Sequence, residues 1–296
     1  MCAPEDPPGI PDNESEYSDD FASSAESNTP YTPDELADIF LDFYQFLTTL
    51  HFDSADLKTA PLQGWPTITR EARPDWKSDL TIEVLRRLPY FNASTNKAMI
   101  HYKSILIDYS SMDPKHFSEE DYMEDGMEFW NNDDITDSSN VFAFASGRES
   151  GGRFLWLDVE HGLITEDLCR VGQLSPEDVR DWFCNLKNQY RSLQLIPSKG
   201  RATIEADEVP ERAAGLGLIS KEEVCAQTEE QWGTDLDIHY LRQLYRQHGW
   251  PDAFRREDAE RAVQDLMDTI EHEDRRMGWE QFYVCSPRPS SYPAPE

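Results

Sequence analysis

The sequence predicts an α+β fold: a small antiparallel sheet packed by helices, followed by a helical C-terminal domain and preceded by a disordered acidic tail. Three observations lead there. Val141–Glu166 (VFAFASGRESGGRFLWLDVEHGLITE) reads as three short strands in a row. Apolar side chains recur at helical spacing before and after it. Residues 216–296 change to a charged, helical pattern.

Residues 1–30 are rich in Pro, Ser, Asp and Glu and hold no Lys or Arg. Such a segment cannot bury enough apolar surface to offset its chain entropy, so disorder is expected. Thr32-Pro33-Asp34-Glu35 is a helix start: Thr32 caps, Pro33 takes the first helical position and Glu35 completes a capping box. Leu36, Ile39, Phe40, Phe43, Phe46, Leu47 and Leu50 follow at helical spacing. Each such side chain contributes roughly 1.5–3 kcal/mol when buried, so this helix has to dock on something large.

Pro61–Pro66 is a break, and Ser78–Leu88 is predicted as a second helix through Leu80, Val84, Leu85 and Leu88, stopped by Pro89. Lys97–Tyr109 is the first strand region. Ser110–Asn140 is an acidic insert with ten carboxylates and one lysine. Placing Asp121 first in a calcium loop puts Met123 third and Asn132 twelfth, which excludes an EF-hand. A solvated acidic loop anchored by Phe129 and Trp130 is expected instead.

In the meander, Val141–Ser146 is the first strand, Gly147–Gly152 a polar turn and Arg153–Asp158 the second strand. Phe154 and Trp156 fall on one face of that strand, Leu155 and Leu157 on the other. Glu160, His161 and Gly162 make a tight turn into Leu163–Thr165. Apolar residues on both faces place this meander at the buried centre of a sheet.

Ser175-Pro176 then starts a helix, with Ser175 as cap and an apolar face of Val179, Trp182, Phe183, Leu186, Tyr190 and Leu193. The α+β domain is thus expected over 31–197, with its insert at 110–140 and a linker at 198–215. A helical domain over 216–285 and a disordered end at 286–296 follow. In that helical domain Ser220-Lys221-Glu222-Glu223 is a second capping box. Leu236, Tyr240, Leu241, Leu244 and Tyr245 form one helical stripe, and Ala259–Met277 forms another. Gly-Trp-Pro occurs twice, at 64–66 and 249–251, and reads as a helix stop: Gly turns left-handed, Trp packs back and Pro prevents continuation.

Composition bounds the partners. The formal net charge is −31 and the hydrophobic fraction 38%. An acidic surface of this size repels nucleic acid and anionic membrane and favours a basic protein. Five widely spaced cysteines without a C-x-x-C argue against a disulfide framework or zinc site and point to a reducing compartment, cytoplasm or nucleus. The N-terminus has no secretory pattern, and no apolar run reaches the roughly 18 residues of a membrane span.

No G-x-G-x-x-G, P-loop, G-x-S-x-G or H-E-x-x-H is present. Ser150 sits in a glycine turn with the wrong spacing for a nucleophile elbow. His161, flanked by Asp158 and Glu160, is the one constellation that offers acid–base or metal chemistry, although Asp-x-x-x-Gly beside a hairpin is also ordinary turn chemistry.

The order helix, helix, strand, meander, helix carries a resemblance. The strand Val141–Ser146, the small-residue turn Gly147–Gly152, the aromatic strand Phe154–Asp158, Gly162 and the aromatic pair Trp182-Phe183 together resemble the SUKH superfamily, the Smi/Knr cell-wall regulator and toxin-immunity type of domain. The likeness covers residues 31–197. The acidic insert departs from the compact family pattern, and the acidic tail and insert resemble those of fungal proteins. The resemblance implies an α+β interaction domain that is not catalytic.

The expectation is therefore a non-catalytic, regulatory protein-interaction protein, without cofactor, engaging a basic protein partner through an acidic surface. Its candidate interaction residues are Trp130, Arg148, Arg153, Trp156, Asp158, Glu160 and His161. A metal-assisted hydrolase using Asp158, Glu160 and His161 is the enzymatic alternative. A structural adaptor dimerising through its helical C-terminal domain is the third.

Overall fold

The computed structural model describes residues 29–70, 77–92, 98–112, 130–131, 134–147, 151–169, 171–197, 203–227 and 235–272. Residues 1–28 of the expected tail, 113–129 of the insert and the whole of 286–296 lie outside the described residues. The first elements are α1 (Pro33–Leu50), β1 (Leu57–Lys58), α2 (Asp79–Arg87), β2 (Tyr90–Phe91), β3 (Met99–His101) and β4 (Ser104–Leu106). Then come β5 (Trp130–Asn131), β6 (Asp134–Ile135), β7 (Val141–Gly147), β8 (Arg153–Asp158), β9 (Leu163–Leu168), β10 (Gly172–Gln173) and β11 (Glu177–Asp178). The chain continues through α3 (Val179–Ser192), β12 (Leu195–Ile196), β13 (Ile204–Glu205), α4 (Lys221–Cys225), α5 (Asp235–Gln247) and α6 (Arg256–His272).

The meander is the middle of the main sheet. That sheet is antiparallel and seven-stranded, in the order β10-β9-β8-β7-β4-β3, with β11 paired to the other end of β9. It is larger than the meander alone predicts. Lys97–Tyr109 supplies two strands rather than one, because the chain reverses at Tyr102-Lys103, where Lys103 sits at φ 49°. The short strands β10 and β11 complete the far side of β9.

The two faces of the meander divide as the alternation requires. Phe142, Phe144, Leu155, Leu157 and Ile164 enter the main core. Val141, Ala143 and Trp156 pack on the opposite face, with the Phe154 ring stacked 6.0 Å from Trp156. A bulge in β7 between Ala143 and Ala145 turns both Phe144 and Ala145 to the core.

Helices α1 and α3 cover the core face. The α1 capping box forms as expected, with Thr32 as N-cap, Pro33 in the first turn and Glu35 bonded back to the Thr32 amide. Phe40 packs edge-on against Phe144 at 5.2 Å and Phe183 at 4.8 Å, and Phe144 meets Trp182 at 5.9 Å. Each such pair adds about 0.5–1.5 kcal/mol beyond its buried area. The stripe differs from expectation at one position: Tyr44 is buried and Phe46 only partly so. Tyr44 lies between Phe40 and Phe91, whose rings are 6.0 and 5.1 Å away.

Helix α3 starts later than the sequence predicts. Its N-cap is Asp178, whose carboxylate accepts from Arg180 N at 2.9 Å and Asp181 N at 3.4 Å. Ser175 and Pro176 do not cap, because the following Glu177-Asp178 is held extended against Ile164 and Leu163. Gly162, at φ +66°, lies where these pieces meet: its carbonyl accepts Val179 N, and a Cβ there would strike the Tyr31 ring.

The C-terminal helices complete the same core. Tyr240, Leu241, Leu244, Tyr245, Trp250, Val263 and Leu266 belong to one buried cluster with α1, α3 and the sheet. In the expected linker, Ile204 and Glu205 pair with Ile196 and Leu195, and Ala206 is buried. That stretch holds a strand because Ile204 and Ala206 are apolar at alternate positions and both find the core. The Ser220 capping box forms, but α4 is a five-residue helix. Within the insert, β5 and β6 form a short hairpin.

Helix C-termini are closed from a distance. An α-helix leaves its last carbonyls without intrahelical partners. At α1, Arg256 Nε and Nη2 donate to Leu50 O at 3.0 Å and Thr48 O at 2.9 Å. At α2, Trp65 donates twice, its amide to Arg86 O at 3.0 Å and its indole to Leu88 O at 2.8 Å. At α3, the Trp250 indole donates to Tyr190 O at 2.9 Å and Arg242 Nε to Leu193 O at 3.1 Å. The two Gly-Trp-Pro corners thus share a role that their sequence only partly announced. Each glycine is left-handed, with φ +76° at Gly64 and +86° at Gly249. The first corner, however, ends a turn and closes α2, not the helix before it.

Arg242 is 2% exposed, and its guanidinium also donates to Ala206 O at 2.7 Å, Val209 O at 2.9 Å and Pro210 O at 3.1 Å. Replacing it with Met keeps the volume and strands these carbonyls. Arg242→Met is expected to lower unfolding free energy by about 3 kcal/mol or more. The check is the urea midpoint of the full chain; a loss below about 1 kcal/mol would show that water replaces the guanidinium freely.

Candidate functional site

The turn between β8 and β9 gathers Asp158, Glu160 and His161. Asp158 is 7% exposed. Its Oδ1 accepts the amides of Glu160 at 3.0 Å and His161 at 3.1 Å, and its Oδ2 lies 2.8 Å from His161 Nδ1. Glu160 is exposed and points elsewhere, its Oε2 accepting from Asn140 Nδ2 at 2.6 Å. The carboxylate of Asp158 therefore closes the turn, while that of Glu160 ties the turn to the segment before β7. Among the described residues no group of three or more His, Cys, Asp or Glu side chains is arranged to hold a metal ion.

The other sequence candidates separate. Trp130 opens the β5–β6 hairpin. Arg148 lies outside the described residues. Trp156 is buried on the second face of the sheet. Arg153 lies at the start of β8, and its amide donates to Ser104 Oγ at 3.2 Å.

Arg153 leads to an assembly that the sequence does not announce. Its guanidinium bridges two carboxylates, donating to Glu166 Oε2 and, at 2.5 Å, to Glu205 Oε1. Glu166 Oε1 in turn accepts the Trp182 indole at 2.7 Å. His101 Nδ1 accepts the Tyr102 amide at 2.9 Å and lies 3.3 Å from Glu205 Oε1. Beside this network, a cavity of about 300 Å³ opens between α3 and the sheet. Glu166, Glu177, Trp182, Asn185, Gln189 and Gln194 line it, together with buried His101.

The electrostatics of this cluster follow from burial and charge. Burial opposes the charge on Arg153, but Glu166 and Glu205 outweigh it and hold the guanidinium more firmly protonated than usual. Burial pushes the Glu205 carboxyl up; Arg153 pulls it down, while Asp207 and Glu166 push it up again. Burial, then the charge of Arg153, holds His101 well below the usual imidazole range. The ring is thus neutral at physiological pH, and its contact with Glu205 is not an ion pair.

Sequence reasoning missed this pocket and the ion-pair network beside it because their parts lie at positions 101, 153, 166, 177, 182 and 205. Asn185 and Gln189 read as an ordinary polar helix face, and Glu205 fell in the expected linker. Arg153 and Trp182 stood out in the sequence separately, and Glu166, which joins them, continues the third meander strand.

A scan against protein-family models and searches of curated proteins and of solved structures find no match to this chain.

Two outcomes follow from these environments. Asp158→Ala removes the acceptor for two turn amides and is expected to cost about 1–2 kcal/mol, whereas Asp158→Asn keeps an oxygen for them and costs less than half as much. Urea titrations of the two variants make the comparison, and equal losses would refute the turn-closing role. The second outcome concerns pH. His51 is held down to about 3, mainly by burial and then by Arg256, so it and His101 are both neutral when folded. Below the unfolded imidazole value of about 6.5, the unfolded chain binds a proton at each that the folded chain refuses, so stability falls with falling pH. Each contributes a slope of up to about 1.4 kcal/mol per pH unit until its folded value is reached. His51→Phe keeps the ring against Tyr190 and should remove one such slope between pH 6 and 4 in denaturant series (~2 pH units in that window); an unchanged slope would contradict the assignment.

Proposed function

We propose that this chain is a protein-interaction protein whose acidic surface engages a basic protein partner, with residues 31–197 acting as a SUKH-like α+β interaction domain. The observation that carries this reading is where the cations go. Against a net charge of −31, several basic side chains of the described residues turn inward, onto backbone carbonyls. Arg242 meets Leu193, Ala206, Val209 and Pro210, and Arg256 meets Thr48 and Leu50. Lys77, 6% exposed, donates to Ser138 O at 2.9 Å and to Val141 O.

These side chains spend most of their donors on carbonyls, although Arg242 also lies 3.9 Å from Glu211 Oε1. Burial moreover pushes Lys77 down to about 7, against the pull of Asp137, which weakens its hold on a proton at neutral pH. Other cations do meet acids: Lys58 reaches buried Asp108 at 2.5 Å, and Arg153 bridges Glu166 and Glu205. The unbalanced carboxylates are left outside, where they draw in a positively charged partner and speed its encounter.

Support for the domain reading comes from the element order, two helices and a hairpin before the meander and an aromatic helix after it. Among the described residues no helix is long and apolar enough to cross a membrane. The test is capture of a basic partner by the full chain from host lysate at low and high salt, followed by titration of the captured protein. Retention at low salt and release at high salt is the expected outcome, because exposed charge pairs are screened once the Debye length falls to a few ångström. Binding indifferent to salt, or capture of nothing basic, would refute the reading.

A further inference from the structure

We infer that the cavity between α3 and the sheet is a socket for an arginine side chain of the basic partner. The inference rests on the function proposed above and names the place where that partner is read. Charge count comes first. Two carboxylates, Glu166 and Glu177, line the pocket; Arg153, the cation beside it, is already shared between Glu166 and Glu205 of the adjoining network. His101 adds no charge while its ring is neutral. The pocket is therefore short of positive charge before any ligand arrives.

Open hydrogen-bonding capacity comes second. Glu177 uses Oε1 to accept from Asn185 Nδ2 at 2.5 Å, and its Oε2 has no partner among the described residues. The side-chain amides of Gln189 and Gln194, one half-buried and one exposed, likewise have none there. Three acceptors on separate side chains suit a guanidinium, whose five N–H donors lie in one plane, better than a compact ammonium with three. Burial pushes the Glu177 carboxyl above the usual range, the Asn185 hydrogen bond draws it back, and Asp181, Glu166 and Asp178 push it up again. A cation seated beside it relieves that repulsion.

Size comes third. About 300 Å³ is the small end of the range for ligand pockets, ~300–1,000 Å³. That is room enough for one side chain. Asn185 and Asn188, on the α3 side of the pocket's lining, are exposed, so an extended peptide can deliver its side chain from solvent. Trp182 and Arg153 hold both oxygens of Glu166, which keeps the floor in place while Glu177 and the two glutamines receive the ligand.

The experiment titrates the full chain with a short basic peptide carrying one central arginine, and with versions having lysine or glutamine at that position. Free arginine is a further arm, to separate a side-chain socket from a small-molecule site. Three variants are compared: Glu177→Gln, Gln189→Trp to fill the cavity, and Asp38→Asn as an exposed acid on α1 that does not line the pocket. The arginine peptide is expected to bind about tenfold more weakly to the first two and within about twofold of wild type to the third, the scale of one charge-assisted hydrogen bond. The glutamine peptide should lose a similar factor on the wild-type chain. If Glu177→Gln and Asp38→Asn weaken binding equally, or the glutamine peptide binds as well as the arginine one, the socket is overturned while acidic-surface recognition stands. Free arginine binding as tightly as the peptide overturns the partner assignment in favour of a small-molecule site. No peptide binding at low salt removes both readings. Gln189→Trp keeps the test open if Glu177→Gln fails to fold.

Discussion

Unpaired carbonyls at helix ends are the constraint on which this molecule depends. Helices α1, α2 and α3 each end in buried surroundings, where water is scarce and an unsatisfied carbonyl is costly. None of the three supplies its own closure in full. Arg256, Trp65, Trp250 and Arg242 arrive from elsewhere in the chain to do it. Because Arg242 gathers carbonyls from residues 193, 206, 209 and 210, one guanidinium fixes the exit of α3, the strand pair that follows and the placement of α5 together. The tryptophans bring an apolar body for the core and one N–H for a carbonyl. Trp250 thus packs on Tyr245 and Phe254 while capping α3.

This arrangement has an electrostatic consequence. Cations that cap helices sit inside, and the large excess of carboxylates stays outside. The helices gain, since a positive group at a C-terminus also complements the helix dipole. The surface is left strongly negative. Stability and surface charge are therefore linked through the same residues, and the acidic character of the surface follows partly from how the cations are used.

Much of the fold was legible locally. The α1 start is written in four consecutive residues, Thr32 to Glu35, and its stripe is written at helical spacing. The faces of β8 follow from simple alternation of Phe154, Leu155, Trp156 and Leu157. The candidate turn was legible too: Asp158 beside Glu160 and His161 is a cluster, and its geometry makes it a closed turn. The start of α3 was not legible, because Ser175-Pro176 is a good local cap that yields to the strand pairing of Glu177 and Asp178 with β9. Tyr44 and Phe46 exchange burial because Phe91, distant in sequence, is where the Tyr44 ring has to go.

By itself, the sequence determined most of the helices, the central meander and the acidity. Those properties depend on spacing over a few residues or on composition alone. Tertiary structure alone decided which side chains close which helix ends, and it alone built the pocket. His101, Arg153, Glu166, Glu177 and Glu205 come together only when the sheet edge, α3 and the strand after it are packed. No local pattern encodes that meeting, because its partners are chosen by the burial of apolar residues between them and not by their own chemistry.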